Sequence, residues 1–402
     1  MRISIFTMTV VAVLFLLAGI NSFWLGRLFR PTMRGKFRFA YVALTFLGAA
    51  ALSIRSGSPF DGLAVFNVVF YFGPFWTVLQ LMLLFAWPFS KLAGWLQHRW
   101  SLAREKELAA APPDSPLNPA LTRRSFLFQA AMAPPLAMTG INAVGVLDAE
   151  FRVVLRRLDF AYADLPVELD GLKIGHMTDV HLGPYISVND VKKMATLLQR
   201  EAPDILAITG DFVDDVSLLP GAMDMMKPLL TSLPLGGWFC MGNHEHRRGA
   251  APIRSILQQY GLRILDNQHQ RLPFGGAHFT IAGVDYPMGA SMSVRPEVAQ
   301  DFLKSACDGI SGKDFTLLMA HHPAFLPAAF SRQIPLTLAG HTHGGQVGWG
   351  QGSAFEFLYP YMRGVYQETQ SFGFVSCGAG HWLPFRLNCP PEVSVITLRR
   401  KA

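Results

Sequence analysis

The sequence is divided by hydrophobicity before anything else. Ile3 to Leu25 and Leu63 to Trp87 are apolar stretches long enough to cross a bilayer, and Phe39 to Ile54 is a shorter run that can cross with help from its flanks. Half of the 402 residues are hydrophobic and only 16% are charged. That excess sits in the first third, whereas the chain after Ala149 has the mix of an ordinary soluble domain. About three transmembrane helices over residues 1–107, followed by a water-soluble domain, is the expected organisation. Further hydrophobic runs follow the first, so the first is expected to be a retained helix and not a cleaved secretory signal.

The formal net charge of +7 raises nucleic acid as a partner, but many of the basic residues cluster beside the apolar runs. Arg27, Arg30, Arg34, Lys36 and Arg38 form one cluster; Arg99, Arg104, Lys106, Arg123 and Arg124 lie in another. No basic stripe interleaved with aromatics occurs in the soluble part, so no nucleic-acid partner is expected. The first cluster, set against the nearly neutral Arg55 to Asp61 loop, places the amino terminus outside and the end of the third span inside. A Pro- and Ala-rich linker, residues 108–121, follows. Residues 122–147 then begin Thr122-Arg123-Arg124-Ser125-Phe126-Leu127, which resembles a twin-arginine export signal in an internal position, or else flanks a fourth membrane helix. Both readings carry the chain outward. Pro134 and Pro135 are expected to kink such a helix, and without a small-x-small cleavage site it is expected to be retained. The chain then reads as a multi-pass protein of the cell (inner) membrane, with residues 148–402 extracytoplasmic.

Four cysteines, Cys240, Cys307, Cys377 and Cys389, include no C-x-x-C pair, which argues against a zinc ribbon or a thioredoxin-like site. Cys377 and Cys389 are near enough in sequence to pair in an oxidising compartment. Cys240, in an apolar run, reads as a buried free thiol.

From Phe151 onward, short apolar runs alternate with helical segments such as Val188 to Arg200 and Pro252 to Tyr260, an α/β pattern. Leu172 to Thr178, Ile205 to Thr209, Gly237 to Met241, Phe279 to Val284, Thr316 to Ala320 and Leu336 to Ala339 read as buried strands. Most are followed at once by side chains that bind metals. Asp179-Val180-His181 offers a carboxylate and an imidazole two residues apart as the chain leaves a sheet. Gly210-Asp211-Phe212-Val213-Asp214 offers a carboxylate whose two oxygens can bridge two ions, beside a glycine that permits close approach. Gly242-Asn243-His244-Glu245 is sharper, because Asn is a rare ligand. His321 repeats the strand-then-imidazole pattern, and Gly340-His341-Thr342-His343-Gly344-Gly345 supplies two more imidazoles among glycines. Each alone is compatible with a turn or a surface histidine; five in succession at strand ends point to one site at the edge of a sheet.

D-x-H, G-D-x-x-D, G-N-H-E, a later His and G-H-x-H, in that order, resemble the calcineurin-like metallophosphoesterase superfamily over about Leu172 to Leu398. The tail from Val375 to Val393 resembles its membrane-associated bacterial branch. The resemblance implies a four-layer sandwich of two mixed β-sheets flanked by helices. It also implies that Asp179, His181, Asp211 and His343 hold one ion, that Asp211, Asn243, His321 and His341 hold the other, and that His244 is the catalytic imidazole. Glu245 departs from the Asp more common in this branch, and His322 stands where a side-chain amide is common. His176 and His246 fit no motif position and read as structural or exposed.

Two divalent ions sharing a hydroxide would attack phosphorus in line, with His244 giving a proton to the departing oxygen and Glu245 or Asp179 orienting it. Nitrogen and oxygen ligands without sulfur suit manganese, iron or zinc. The expected partner besides the membrane is a phosphomonoester, phosphodiester or pyrophosphate substrate, lipid-linked if tethering sets the choice, with Arg363 and Arg386 as candidate phosphate holders. The oligomeric state has no signal in the sequence. A reading from another class is an inactive membrane receptor or scaffold that keeps the fold. A transporter would need polar residues inside the spans, for which Asn67 and Gln80 are the candidates.

Overall fold

A computed structural model describes residues 5–52, 64–109, 123–151, 153–288, 294–311 and 314–401, and the chain separates into two compact units, Met1–Val146 and Leu147–Ala402. The Arg55 to Asp61 loop and residues 110–122, most of the expected linker, lie outside the described residues.

The first unit is helical, as apolar segments must be where no water can satisfy the backbone. Its helices are α1 (Ile5–Gly26), α2 (Pro31–Leu52), α3 (Ala64–Ala109) and α4 (Arg123–Phe151), the last running past the unit boundary. All four are long and apolar enough to cross a membrane, over Met8–Gly26, Pro31–Leu52, Phe70–Leu96 and Gln129–Glu150. One expectation changes here. The second span begins at Pro31 and not near Phe39, so Arg34, Lys36 and Arg38 sit on the first turns of α2 and not in a connecting loop. A proline at N1 loses no helical hydrogen bond and starts the helix early. Residues 123–151 form one continuous helix with Pro134 and Pro135 inside it.

Gln80 is held between helices. Asn21 Nδ2 donates to its carbonyl oxygen at 2.9 Å and to its Oε1 at 3.0 Å, and Tyr41 Oη donates to Oε1 at 2.8 Å. Asn21 also accepts from Trp24 Nε1 at 2.9 Å, and Trp76 Nε1 donates to Thr45 Oγ1 at 3.2 Å. These buried bonds tie α1, α2 and α3 together where dispersion alone is weakly selective. Asn21 was the missing partner: it reads as part of an unbroken apolar run until Gln80 is set beside it.

The second unit contains the strands β1 (Val154–Tyr162), β2 (Lys173–Met177), β3 (Ile205–Ile208), β4 (Gly237–Phe239), β5 (Arg263–Ile264), β6 (Gln268–Phe274), β7 (Ala277–Gly283), β8 (Phe315–Met319), β9 (Leu336–Ala339), β10 (Gly348–Trp349), β11 (Gly352–Ser353), β12 (Gly364–Glu368), β13 (Ser371–Val375) and β14 (Glu392–Arg400). One six-stranded sheet has the order β1-β14-β2-β3-β4-β5 and the other β12-β13-β9-β8-β7-β6, with β10 and β11 a small hairpin. Both sheets are mixed, parallel through β2-β3-β4-β5 and β7-β8-β9-β13.

Side-chain alternation along each strand builds the layers. Ile205 and Ala207 of β3 meet Leu317 and Met319 of β8 between the sheets, with Ile174, Trp238 and Phe374. On the other face Leu206 and Ile208 pack with Val191, Met194 and Leu198 of α5 (Val188–Arg200) and with Met223 and Met226 of α6 (Leu219–Thr231). Leu318 packs outward with Ala299 and Leu303 of α7 (Pro296–Cys307). The result is helix, sheet, sheet, helix, the expected sandwich.

Candidate metal centre

Every predicted ligand follows a strand of the parallel blocks: Asp179 and His181 after β2, Asp211 after β3, Asn243 after β4, His321 after β8, and His341 and His343 after β9. The strands of both sheets deliver these residues to one edge of the sandwich. The turns are sharp, because Asp179, His181, Asp211, His341 and His343 all take the left-handed backbone, with φ of 50°, 51°, 49°, 71° and 51°. Non-glycine residues rarely adopt that conformation, and its cost is borne where function requires it. Gly340 lets the turn after β9 pass close to the turn after β2: a Cβ there would lie 2.1 Å from Asp179 Oδ2.

The side chains converge on Asp211. Its Oδ1 accepts from the His244 backbone N–H at 2.8 Å, leaving Oδ2 3.3 Å from His321 Nε2, 3.8 Å from His244 Nε2 and 4.0 Å from His181 Nε2. Asp179 Oδ2 accepts from Thr178 Oγ1 at 2.7 Å and the His341 N–H at 2.8 Å. Its Oδ1 is buried without a hydrogen-bond partner, 3.6 Å from His343 Nε2 and 4.0 Å from His181 Nε2. His181 Nε2 and His343 Nε2 approach to 3.0 Å, and His341 Nδ1 and His321 Nε2 to 3.1 Å.

The chemistry of this donor set fits a cation pair. His321 Nδ1 lies 2.8 Å from the Thr209 carbonyl oxygen, an acceptor only, which fixes the ring's N–H there and turns the Nε2 lone pair inward. Nε2 then faces two more acceptors, Asn243 Oδ1 at 3.2 Å and Asp211 Oδ2. Acceptors gathered around one point call for positive charge. Three groups have the spacing of a metal site: Asp179 with His181 and His343, Asp211 with His321 and His341, and His181 with Asp211 and His244. The first two contain only candidate ligands, and the third brings in His244, to which the motifs give the proton-transfer role.

Burial and charge tell the same story. Burial works against a charged His321, yet Asp211, Asp179 and the Thr209 carbonyl outweigh it and push the imidazole up to about 10; a proton on Nε2 meets the same demand for positive charge that a cation would, and has to leave for that lone pair to bind a metal. Burial opposes ionisation of Asp211, but His321, His244 and His181 hold it well below the usual carboxylate range. Burial, with His321 and His322 nearby, keeps His341 well below the ordinary imidazole value; burial and Arg386 do so for His343. Both are neutral bases, as metal ligands must be.

His244 differs from the ligands. Its side chain is 18% exposed, against 1% for His181 and 0% for His321, so it stands at the mouth of the site. Its Nδ1 lies 2.5 Å from Asp214 Oδ1, and the other Asp214 oxygen lies 3.1 Å from His181 Nδ1. The group orienting His244 is therefore Asp214, not Glu245 or Asp179 as expected. Glu245 is turned away to cap backbone: it accepts from the N–H groups of Gly242 (2.9 Å), Asp211 (2.8 Å) and Phe212 (2.7 Å). Asp214 was visible in its motif, but spacing did not show that the left-handed turn at Asp211 folds it back against two imidazoles.

The two predicted phosphate holders are placed otherwise. Arg386 is fully buried, donating to the His343 and Gly380 carbonyl oxygens at 2.9 and 2.7 Å and lying 2.8 Å from His343 Nδ1. It braces His343 and does not face solvent. Arg363 is spent on the carbonyl oxygens of Asn388, Gly350 and Gln351. His176 is buried against Thr209, and His246 pairs with Asp285 at 2.8 Å. On the His341 side lie Tyr286, 5.9 Å from it between ring centroids, and His322, at 4.4 Å. The buried Nε2 of His322 and Oη of Tyr359 beside it have no hydrogen-bond partner in the structure. No motif singles out either tyrosine.

Comparison with known proteins agrees with this geometry. A family model described as calcineurin-like phosphoesterase matches residues 172–345. A Bos taurus protein described as a transmembrane protein with a metallophosphoesterase domain is 29% identical over 284 residues, 67% of this chain and 63% of that one. The chain thus covers less than two thirds of the bovine protein's length. Metallophosphoesterases of Aquifex aeolicus (30% identical, covering 57% of this chain and 86% of that one) and Bacillus subtilis (28%, covering 58% and 82%) are also similar.

Proposed function

The chain belongs to the calcineurin-like metallophosphoesterases, hydrolases of phosphoesters, and from that premise we propose a membrane-anchored enzyme with two divalent ions whose substrate is an ester or anhydride of a lipid-linked phosphate. Asp179, His181, Asp211 and His343 would hold one ion, and Asp211, Asn243, His321 and His341 the other. Manganese, iron or zinc suits these ligands. Bound ions supply Lewis acidity toward the phosphoryl group and bring the pKa of the attacking water toward neutrality.

The observation that carries this reading is the inward-facing set of acceptors, Asp211 Oδ2, Asn243 Oδ1 and His321 Nε2, together with the unpartnered Asp179 Oδ1. The chain's own residues perform the rest. His244 donates a proton to the departing oxygen from its Nε2 while Asp214 holds Nδ1 and stabilises the charged ring. Arg386 fixes His343, and Glu245 fixes the turns that carry Asp211 and Asn243. The retained ligand set favours an active enzyme over an inactive scaffold.

The lipid-linked substrate is supported by the apolar helices, which concentrate the active site at a bilayer. The basic residues around the junction of α1 and α2 favour a cytoplasmic side there, and with it an outward catalytic domain. Metal analysis of the purified full chain, with hydrolysis of a chromogenic phosphodiester and of lipid phosphates in mixed micelles, tests the proposal. Two ions per chain and turnover lost in His244→Ala are expected. A metal-loaded chain that turns over none of them sinks the enzymatic reading, and equal rates on soluble and lipid phosphates sink the lipid assignment.

A further inference from the structure

Cys377 follows β13 and Cys389 precedes β14, so the two thiols bracket the chain as it passes from one sheet to the other. Both are buried, and their Sγ atoms stand 3.4 Å apart. The segment between them carries two metal ligands on its back. The N–H groups of Ala379 and Gly380 donate to the Thr178 and Asp179 carbonyl oxygens at 2.8 and 2.9 Å. Arg386, in the same segment, grips the carbonyl and ring of His343. Cys389 Sγ itself lies 3.5 Å from the His343 carbonyl oxygen.

The turn above has been shaped to the sulfur pair. Gly344 sits at φ +61°, and a Cβ there would come within 2.7 Å of Cys389 Sγ and 3.1 Å of Cys377 Sγ. The other two thiols are placed differently, Cys240 buried between the sheets and Cys307 at the end of α7. We propose that Cys377 and Cys389 form an oxidation site, closing into an intramolecular disulfide that makes residues 377–389 a rigid shelf beneath Asp179 and His343.

The reaction is thiol–disulfide exchange with an oxidant of the disulfide class. One cysteine, as its thiolate, attacks a sulfur of the oxidant and breaks its S–S bond, and the released thiolate takes up a proton. The second cysteine, giving up its proton, attacks the first cysteine's sulfur, forming the Cys377–Cys389 bond and expelling the remaining half of the oxidant as a thiol. Two electrons and two protons pass from the protein to the oxidant. Because both sulfurs are buried in the finished fold, exchange takes place while the 377–389 segment is docking or transiently open. Closing a short loop restricts the unfolded chain and also removes freedom from the shelf.

The test uses the full chain, metal-loaded in detergent and incubated with oxidised or reduced glutathione. Each sample is denatured in iodoacetamide, digested and weighed. After oxidation, the peptides bearing Cys377 and Cys389 are expected joined and two hydrogens lighter, with Cys240 and Cys307 alkylated. Alkylation of all four, or a different pairing, overturns the proposal. The oxidised chain is also expected to unfold about 5 to 10 °C higher than the reduced one, and to release metal to a chelator roughly tenfold more slowly. Both differences should vanish in C377S/C389S. Equal midpoints and release rates in a cross-linked chain overturn the shelf role; should the double variant not fold, the wild-type pair of samples decides alone. Only the metal measurement rests on the metallophosphoesterase site, so a failed cross-link and a failed metal site are distinguishable.

Discussion

Replacing Asp214 by Asn keeps the size of the side chain and removes its charge. In the wild type one Asp214 oxygen is 2.5 Å from His244 Nδ1 and the other 3.1 Å from His181 Nδ1, while Arg248 Nη2 approaches the first at 3.2 Å. Burial alone would depress His244, but Asp214, Asp211 and Glu245 outweigh it and raise it above the ordinary imidazole value. The sign follows: the proton is held below that raised value and lost as pH climbs through it. Acid-dependent turnover should therefore fall as pH climbs through that raised value, and D214N should bring the fall to lower pH. A charge-assisted hydrogen bond contributes about 1.5 to 3 kcal/mol, which is roughly 10- to 150-fold in kcat if it acts only in the transition state. The assay compares an alkyl phosphodiester, whose leaving oxygen needs a proton, with a nitrophenyl diester, whose leaving group departs as a stable anion. A loss confined to the alkyl ester is expected. Equal losses on both, with metal content reduced, would show that Asp214 serves His181 and the ion alone and refute the proton-delivery reasoning.

Other perturbations probe separate parts of the centre. Gly340→Ala places a methyl 2.1 Å from the present position of Asp179 Oδ2, and an ångström of displacement there should cost about 100-fold in kcat/KM, with fewer than two ions per chain by elemental analysis. Glu245→Ala orphans the N–H groups of Gly242, Asp211 and Phe212; a drop of about 5 to 10 °C in the unfolding midpoint is expected by calorimetry. Stripping the metals with a chelator should lower the midpoint by a similar amount, since a ligand at about 100 times its Kd stabilises by about 2.7 kcal/mol, and adding divalent ions back should restore it.

The convergence of the candidate ligands was legible because each stands directly after a buried strand. The apolar runs ending at Asp179, Asp211, Asn243, His321 and His341 mark where the sheet stops, and parallel neighbours bring such ends together without further information. What lay beyond reading was direction. Nothing in G-D-x-x-D says that its second Asp turns back to His244, and nothing in G-N-H-E says that its Glu faces backbone amides, because both depend on left-handed turns that spacing does not encode. Arg386 looked like an anion holder since a lone arginine in a loop is usually solvated; only the packing of residues 377–389 behind His343 encloses it. In the membrane unit, hydropathy found the first and third spans but misjudged the start of α2, where arginines and a lysine ride on a helix that Pro31 had already begun. Asn21 escaped notice for the opposite reason, being one polar residue in an apolar average.

The order of strands in the first sheet also bears on how the domain is made. β14 lies between β1 and β2, parallel to one and antiparallel to the other, so the two earliest strands of the domain have no direct bond to each other. As the polypeptide is synthesised, both wait with an open edge until Glu392 to Arg400 emerges, and such long-range pairing is slow and vulnerable to aggregation. Ribosome-bound or prematurely stopped chains ending before Glu392 thus carry every candidate ligand yet lack the strand that locks their scaffold, which makes them clients for chaperones and proteases.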